Sequence, residues 1–266
     1  MQENINRAFS KQSTSFDEYD KNNPILQWMR LQIHKHVMAY TKAGQKMLEL
    51  NAGTGIDAVF FAQQGIHIHA TDVSDGMIEV LRTKVNALNL NDHITIQQCS
   101  YTDLDKIQFK KFDYIFSDFG GLNCASDLSP VIGNFNSLLK PGAMVSLVLM
   151  PPVCPWEMLS LFKGNFNLAF RRFKKQGTLS HLEGECFKTY YYKPSQILKL
   201  FGTDYRLVKL QGLASWSPPP YKDKFPLQFP GVYKMLTSVE EKLSGKFPFN
   251  SWADHFILTV QYLPDR

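Results

Sequence analysis

The sequence predicts an α/β fold, a mostly parallel sheet with helices on both faces. Three observations predict it. An apolar run, Met47 to Leu50, leads into a turn built on Gly53 and Gly55. A helical stretch, Asp57-Ala-Val-Phe-Phe-Ala-Gln-Gln, follows and is closed by Gly65. A second apolar run, Ile66 to Ala70, ends at Asp72. Strand, glycine turn, helix, strand and acid in that order are the plan of a nucleotide-binding βαβ unit. The glycines lack a Cβ, so the turn's backbone approaches a ligand closely. The helix N-terminus favours negative charge. A carboxylate closing the second strand accepts hydrogen bonds from both hydroxyls of a ribose.

The other elements follow in order. Residues 1–44 read as a helical segment. Asn23-Pro24 starts a helix, with Asn as cap and Pro in the first turn. Ile25, Trp28, Met29, Ile33 and Val37 then recur at helical spacing. Residues 45–150 alternate strand and helix, with Ser74 capping one helix and Ser129-Pro130 opening another. Residues 151–192 hold helices and a hairpin near 178–192. Residues 193–266 add helices and two late strands near 205–213 and 255–263. Ser217-Pro-Pro-Pro-Tyr221 reads as a loop inside this unit, so residues 1–266 form one domain.

Composition bounds the function. The chain has 266 residues and is 44% hydrophobic, long enough for a sizeable core and too apolar for disorder. Its 29 Lys and Arg against 24 acids leave a mild +5, which helps an anionic substrate approach. Cys99, Cys124, Cys154 and Cys186 lie far apart without a C-x-x-C pair. We therefore expect no metal site, and buried, reduced thiols of a cytoplasmic protein. The N-terminus lacks a signal peptide's apolar core, and no run has the length of a membrane span, so no membrane partner is expected.

Two cofactors fit the βαβ unit. Gly53-x-Gly55-x-x-Ala58 satisfies the dinucleotide fingerprint and favours an NAD(P)-binding oxidoreductase. Glu49-Leu-Asn-Ala-Gly-Thr-Gly55 resembles the first motif of the class I S-adenosylmethionine (SAM) methyltransferases, Glu/Asp-x-Gly-x-Gly-x-Gly, with Asn51 in place of the first glycine. Asn tolerates left-handed backbone. The resemblance continues through residues 68–80, 94–104, 112–123 and 138–149, in the order and spacing of the family's second to fifth motifs. It is to the small-molecule, type 11/25-like members. It implies a Rossmann-like seven-stranded sheet whose last strand runs antiparallel, with SAM as cofactor.

The resemblance also implies site residues. Glu49, Asn51, Ala52, Gly53 and Gly55 form the cofactor turn, Asp72 binds ribose, and Val73 and Met77 flank adenine. Cys99, Ser100 and Tyr101 occupy the place of the usual acid near adenine, with Ser100 and Tyr101 as the candidate contacts. Asp118, Phe119 and Gly120 follow the fourth strand, where open α/β sheets bind ligands. Phe9-x-x-x-Ser13-x-x-Phe16-Asp17 resembles the entry segment that folds over SAM as a lid, with Phe16 for the usual Tyr and Tyr19 nearby. The other reading of this segment is an amphipathic helix packed on the core. Arg30 is a candidate partner for the SAM carboxylate, or a solvated helix-face arginine.

Substrate contacts are expected from Asn123, Trp156, Arg171 and Tyr191, in a region rich in aromatic residues. That region suits an aromatic or anionic small molecule, or is a satellite core. Arg171-Arg172-Phe173-Lys174-Lys175 reads first as a solvated helix face; a contact with an anionic substrate comes next, and nucleic acid is not expected. No catalytic base stands out; His181, near Glu183 and Glu185, is a weak candidate. An electrophilic methyl group aligned for in-line displacement needs a base only for a poorly ionised nucleophile. The sequence thus reads as a SAM-dependent methyltransferase acting on a small organic molecule. The NAD(P) oxidoreductase and a non-catalytic SAM-binding protein remain as alternatives.

Overall fold

The computed structural model describes residues 2–107 and 111–264. Two N-terminal helices, α1 (Gln2–Asn22) and α2 (Pro24–Met38), precede the sheet. The Asn23 side chain accepts from the backbone N–H of Ile25 at 3.0 Å and of Leu26 at 3.2 Å, the cap that Asn23-Pro24 predicts. Strands β1 (Lys46–Leu50) and β2 (His67–Asp72) enclose α3 (Ile56–Gln63), and α4 (Asp75–Ala87) leads to β3 (Ile94–Gln98). Strands β4 (Phe112–Ser117) and β5 (Leu139–Leu149) complete the parallel half. A separate hairpin, β6 (Thr178–Leu182) and β7 (Glu185–Thr189), precedes β8 (Tyr205–Leu213) and β9 (His255–Tyr262).

The seven-stranded sheet has the order β3-β2-β1-β4-β5-β9-β8. Strands β1 to β5 pair in parallel, and β9 runs antiparallel to both β5 and β8. Lys140-Pro141-Gly142, within the segment 138–149 matched to the family's fifth motif, falls inside β5. Its pairing with β4 shifts register between Phe112 and Tyr114, and Gly142 has φ +83°.

Period-two burial divides the core. Met47, Tyr114, Phe116 and Val148 pack with Ile33 of α2 and Phe61 of α3 on one face. Leu48, Ile115, Leu147 and Leu149 pack with Val131, Phe135 and Ile197 on the other. Strand order reverses between β1 and β4, so a crevice opens beyond their C-terminal ends. One expectation for the cysteines fails. Cys99, Cys124 and Cys154 are buried, but Cys186 sits on the outer face of the hairpin and is exposed.

Candidate functional site

A cavity of about 290 Å³ fills that crevice. Asn51 and Gly53 reach it from the loop after β1, and Asp72 and Val73 from the end of β2. Ser100 and Tyr101 follow β3, and Asp118, Phe119, Gly120 and Gly121 follow β4. Met77 of α4, Ile5, Phe9 and Phe16 of α1, and Phe187 and Thr189 of β7 close it, with Cys99, Cys124 and Met150.

The loop after β1 needs left-handed backbone at three positions: Asn51 (φ +48°), Gly53 (+55°) and Gly55 (+79°). Its two glycines do different work. A Cβ on Gly53 would meet only Met77 Sδ at 3.9 Å, so its bare backbone faces open space at the cavity. A Cβ on Gly55 would lie 2.1 Å from Leu81 Cδ1, so this glycine lets α4 pack against the loop. Asn51, where the motif has glycine, is accommodated from the β4 side. Its amide donates to the Asp118 carbonyl at 3.1 Å, and its Oδ1 accepts from Ser117 Oγ at 2.7 Å. A Cβ on Gly121 would sit 2.4 Å from Asn51 Nδ2, so the bulk added at 51 is matched by its absence at 121.

Asp72 is held from both sides. Its Oδ2 accepts from Gly53 N–H at 2.9 Å and its Oδ1 from Ser74 N–H at 2.8 Å. Burial raises its pKa, and those amide hydrogen bonds oppose the rise. Beneath the loop lies a cluster with more carboxylates than cations. Arg30 donates to Asp20 at 2.6 Å, to Asp57 at 2.5 Å and to Asp118 at 3.4 Å, and His34 Nε2 lies 2.6 Å from Asp57 Oδ1. Burial acts to raise Asp57, but Arg30 and His34 hold it well below the usual carboxylate range. Burial and the Asp57 charge push Glu49 and Asp118 well up instead, and Glu49 Oε2 has no hydrogen-bond partner.

Helix α1 lies over the cavity. Asp17 accepts from Thr54 Oγ1 at 2.5 Å and pairs with Lys84 at 2.6 Å, joining α1 to the loop after β1 and to α4. Ser10 Oγ lies 2.9 Å from Ser74 Oγ and accepts from Gly76 N–H at 3.1 Å. Gly76 makes this approach possible. A Cβ there would fall 2.7 Å from Ser10 O, 2.8 Å from Ser10 Cα and 2.8 Å from Ser13 Oγ.

Eleven of the expected cofactor residues therefore meet at one cavity: Phe16, Asn51, Gly53, Asp72, Val73, Met77, Ser100, Tyr101, Asp118, Phe119 and Gly120. Others are placed elsewhere. Ala52 is packed in the core, Gly55 contacts α4, and Glu49 is buried below the loop. Tyr19 is half exposed on the outer side of α1. Arg30, read as a carboxylate partner for a ligand, spends its guanidinium on three carboxylates of the protein and lies 4.7 Å behind the Phe119 ring.

The expected substrate residues are absent from the cavity lining and are held by other parts of the protein. Asn123 donates to the carbonyls of Met150 and Tyr190 and accepts from Met150 N–H. Trp156 donates to the Trp216 carbonyl, and Arg171 makes a two-point contact with Glu157. Tyr191 lies against the Arg172 guanidinium at 5.2 Å. His181 is exposed on β6, away from the cavity.

The sequence reading missed Ile5, Gly121, Cys124, Met150, Phe187 and Thr189. Their only signal was position: Ile5 on α1, Gly121 and Cys124 in the turn after β4, Met150 after β5, and Phe187 and Thr189 on the hairpin. It also missed the pair His255 Nδ1 and Asp254 Oδ2, 2.9 Å apart, which lies behind Gly120 and outside the cavity lining. Nearby, Cys154, Glu157 and Asp254 have their ligand atoms within 4.8 Å of one another, in the manner of a metal site. Arg172 occupies that cluster, 2.6 Å from Glu157 and 2.5 Å from Asp254. Burial acts to raise Asp254, but Arg172 and His255 hold it well below its ordinary value.

Comparison with known proteins agrees with this geometry. Residues 47–142 match the family model described as a methyltransferase domain. Over 164 residues the chain is 29% identical to a demethylmenaquinone methyltransferase of Clavibacter sepedonicus, covering 58% of this chain and 64% of that one. Over 107 residues it is 29% identical to the S-adenosyl-L-methionine-dependent Diels-Alderase iccD of Talaromyces variabilis, covering 40% of this chain and 36% of the other. The fold resembles phosphoethanolamine N-methyltransferase 2 of Haemonchus contortus, solved with S-adenosyl-L-methionine. The TM-score is 0.51 at 19% identity, over 85% of this chain and 50% of that one. The chain thus spans less than two thirds of the length of each.

Proposed function

We propose that this chain, which carries a class I SAM-dependent methyltransferase domain, binds SAM in the cavity above β1 and β4 and directs its methyl group onto a small, largely apolar acceptor. The observation that carries the reading is convergence. Gly53, Asp72 and Asp118 come from three separate segments and meet at the switch point of the sheet, under a helix that covers them.

The residues fit the cofactor. Gly53 leaves its backbone bare to the cavity, and Asp72 is placed to accept from a ribose diol. Val73, Met77 and Cys99 offer apolar surface to a base. Burial and the Asp57 charge push Asp118 well up despite Arg30, so a cationic head group beside Asp118 would favour its ionised form. Bound SAM supplies an electrophilic methyl group on a sulfonium.

The chain's own residues then position and exclude. Phe9 and Phe16 of α1 and Phe187 of β7 keep water from the reacting centre. The described lining holds no ready proton acceptor. Burial pushes Cys124 up to about 12 and Tyr101 far above its ordinary value. Asp72 is committed to Gly53 and Ser74, and Asp118 to Arg30 and Phe119. The acceptor therefore arrives with its own nucleophile, an acidic hydroxyl or an activated carbon, and alignment supplies the rate.

The same lack of a base favours a second reading. A SAM-binding fold that steers a reaction without transferring the methyl group would suit this lining, and one relative is described as a SAM-dependent Diels-Alderase. Calorimetry tests the first step. SAM and S-adenosylhomocysteine should bind and NAD should not; tight NAD binding without a SAM signal contradicts the proposal. Release of S-adenosylhomocysteine on turnover with an apolar phenol or enol panel separates the two SAM readings.

A further inference from the structure

The segment between β5 and the hairpin carries aromatic side chains that pack on little else. Phe162 is 88% exposed and Phe166 64%, and Phe170 and Phe173 are half exposed. Phe166 and Phe170 stand one turn apart on the short helix Phe166–Phe170, and so share a face. The Phe170 and Phe173 rings are 6.1 Å apart, which continues the patch. Leu159 and Leu179 add exposed aliphatic surface. So much exposed apolar side chain within one short segment marks a contact site.

Charge identifies its partner. Residues 155–182 hold five of the chain's cations and a single acid, Glu157, and so most of its +5. Arg171 and Arg172 turn inward onto Glu157 and Asp254. Lys163, Lys174 and Lys175 remain exposed among the phenylalanines, and none forms an ion pair with a described residue.

From this juxtaposition we propose that residues 159–179 form a docking face for the surface of an anionic lipid bilayer. Phenylalanine and leucine enter the interface, and lysines bind the headgroups. A second copy of the chain fits less well, because a two-fold contact would set the same unpaired lysines against each other. Single-stranded nucleic acid would use the rings for stacking but gains nothing from Leu159 and Leu179. Among the described residues no helix is long and apolar enough to cross a membrane. Peripheral docking needs none, and it revises the expectation of no membrane partner. The hairpin that follows this face supplies Phe187 and Thr189 to the cavity, so docking would bring the cavity wall near the lipid. The proposal stands whether or not methyl transfer occurs.

Sedimentation of the full chain with vesicles tests it. Phosphatidylcholine vesicles containing about 30% phosphatidylglycerol should bind the chain, more weakly at high salt. Vesicles of phosphatidylcholine alone should bind roughly tenfold less or worse. The double variants Phe162→Ser/Phe166→Ser and Lys174→Glu/Lys175→Glu change exposed side chains, so both should melt like the wild type. Each should lose about tenfold or more in binding to the mixed vesicles. Wild-type protein that ignores the mixed vesicles overturns the proposal, whether it then binds a single-stranded oligonucleotide or dimerises through Phe162. So does binding that both folded variants retain in full.

Discussion

Gly76→Ala is the sharpest test of how the cavity is covered. The added Cβ would lie 2.7 Å from the Ser10 carbonyl oxygen, whereas ordinary contact begins at 3.4 Å. Helix α1 must therefore rise by at least the difference, about 0.7 Å. That movement carries the contacts between Ser10 and Ser74, at 2.9 Å, and between Gly76 and Ser10, at 3.1 Å, beyond hydrogen-bond range. Two bonds at about 0.5–1.5 kcal/mol each amount to roughly 1–3 kcal/mol of helix docking, or about 5- to 150-fold in the ratio of covered to uncovered forms. Alanine in the first turn of α4 is meanwhile the better helix former, by up to about 1 kcal/mol. The two effects separate in experiment. Thermal melting of the core should be unchanged or slightly higher, while α1 should be cut faster in limited proteolysis and SAM should bind more weakly. A variant with wild-type protection of residues 2–22 and wild-type SAM affinity would refute the role assigned to Gly76.

Other perturbations follow from the same geometry. Gly121→Ala should cost about 1–3 kcal/mol in chemical denaturation, because its Cβ collides with Asn51, and Asn51→Gly in the same chain should restore most of the loss; a double variant no better than the single one counts against the compensation. Removal of residues 2–22 should leave a folded sheet that binds SAM weakly and does not turn over, and undiminished affinity would make α1 mere packing. His36 is buried, 2.6 Å from Thr259 Oγ1, and burial, helped by Lys209, lowers its pKa to about 4. The unfolded chain, with an ordinary His pKa of about 6.5, takes up the proton first. The stabilising effect is therefore complete above pH ~6.5 and is lost as pH falls toward ~4, by about 2 kcal/mol at pH ~5. His36→Gln should melt with a shallower pH dependence across that window; an unchanged dependence contradicts the assignment.

Much of this was legible because it depends on local chemistry. The glycine turn, the Asn23 and Ser74 caps and the apolar runs of β1 and β2 each follow from a few neighbouring residues. The antiparallel late pair was expected from the family resemblance and is present as β8 and β9. What stayed hidden depends on segments far apart in the chain. Arg30 gave no sign that Asp20, Asp57 and Asp118 would surround it, so it read as free for a ligand. Asn51 read as a departure from the motif that left-handed backbone tolerates, but nothing local shows that Gly121 makes room for its side chain. Nothing in the sequence around Gly76 shows that Ser10 lies against it. The phenylalanines of residues 162–173 have a helical spacing that fits a satellite core as well as a surface, and only their exposure decides between them.

The central claim is that Asp72 holds the ribose of SAM in the cavity beyond β1. Titration calorimetry of SAM into wild-type and Asp72→Ala protein tests it most directly. With the acceptor gone, two hydroxyls are buried without a partner, at about 1–3 kcal/mol, so affinity should fall roughly 5- to 150-fold. The variant also loses the acceptor for Gly53 N–H, so its fold is checked by circular dichroism and melting alongside. A folded Asp72→Ala protein that binds SAM as tightly as the wild type would contradict the account.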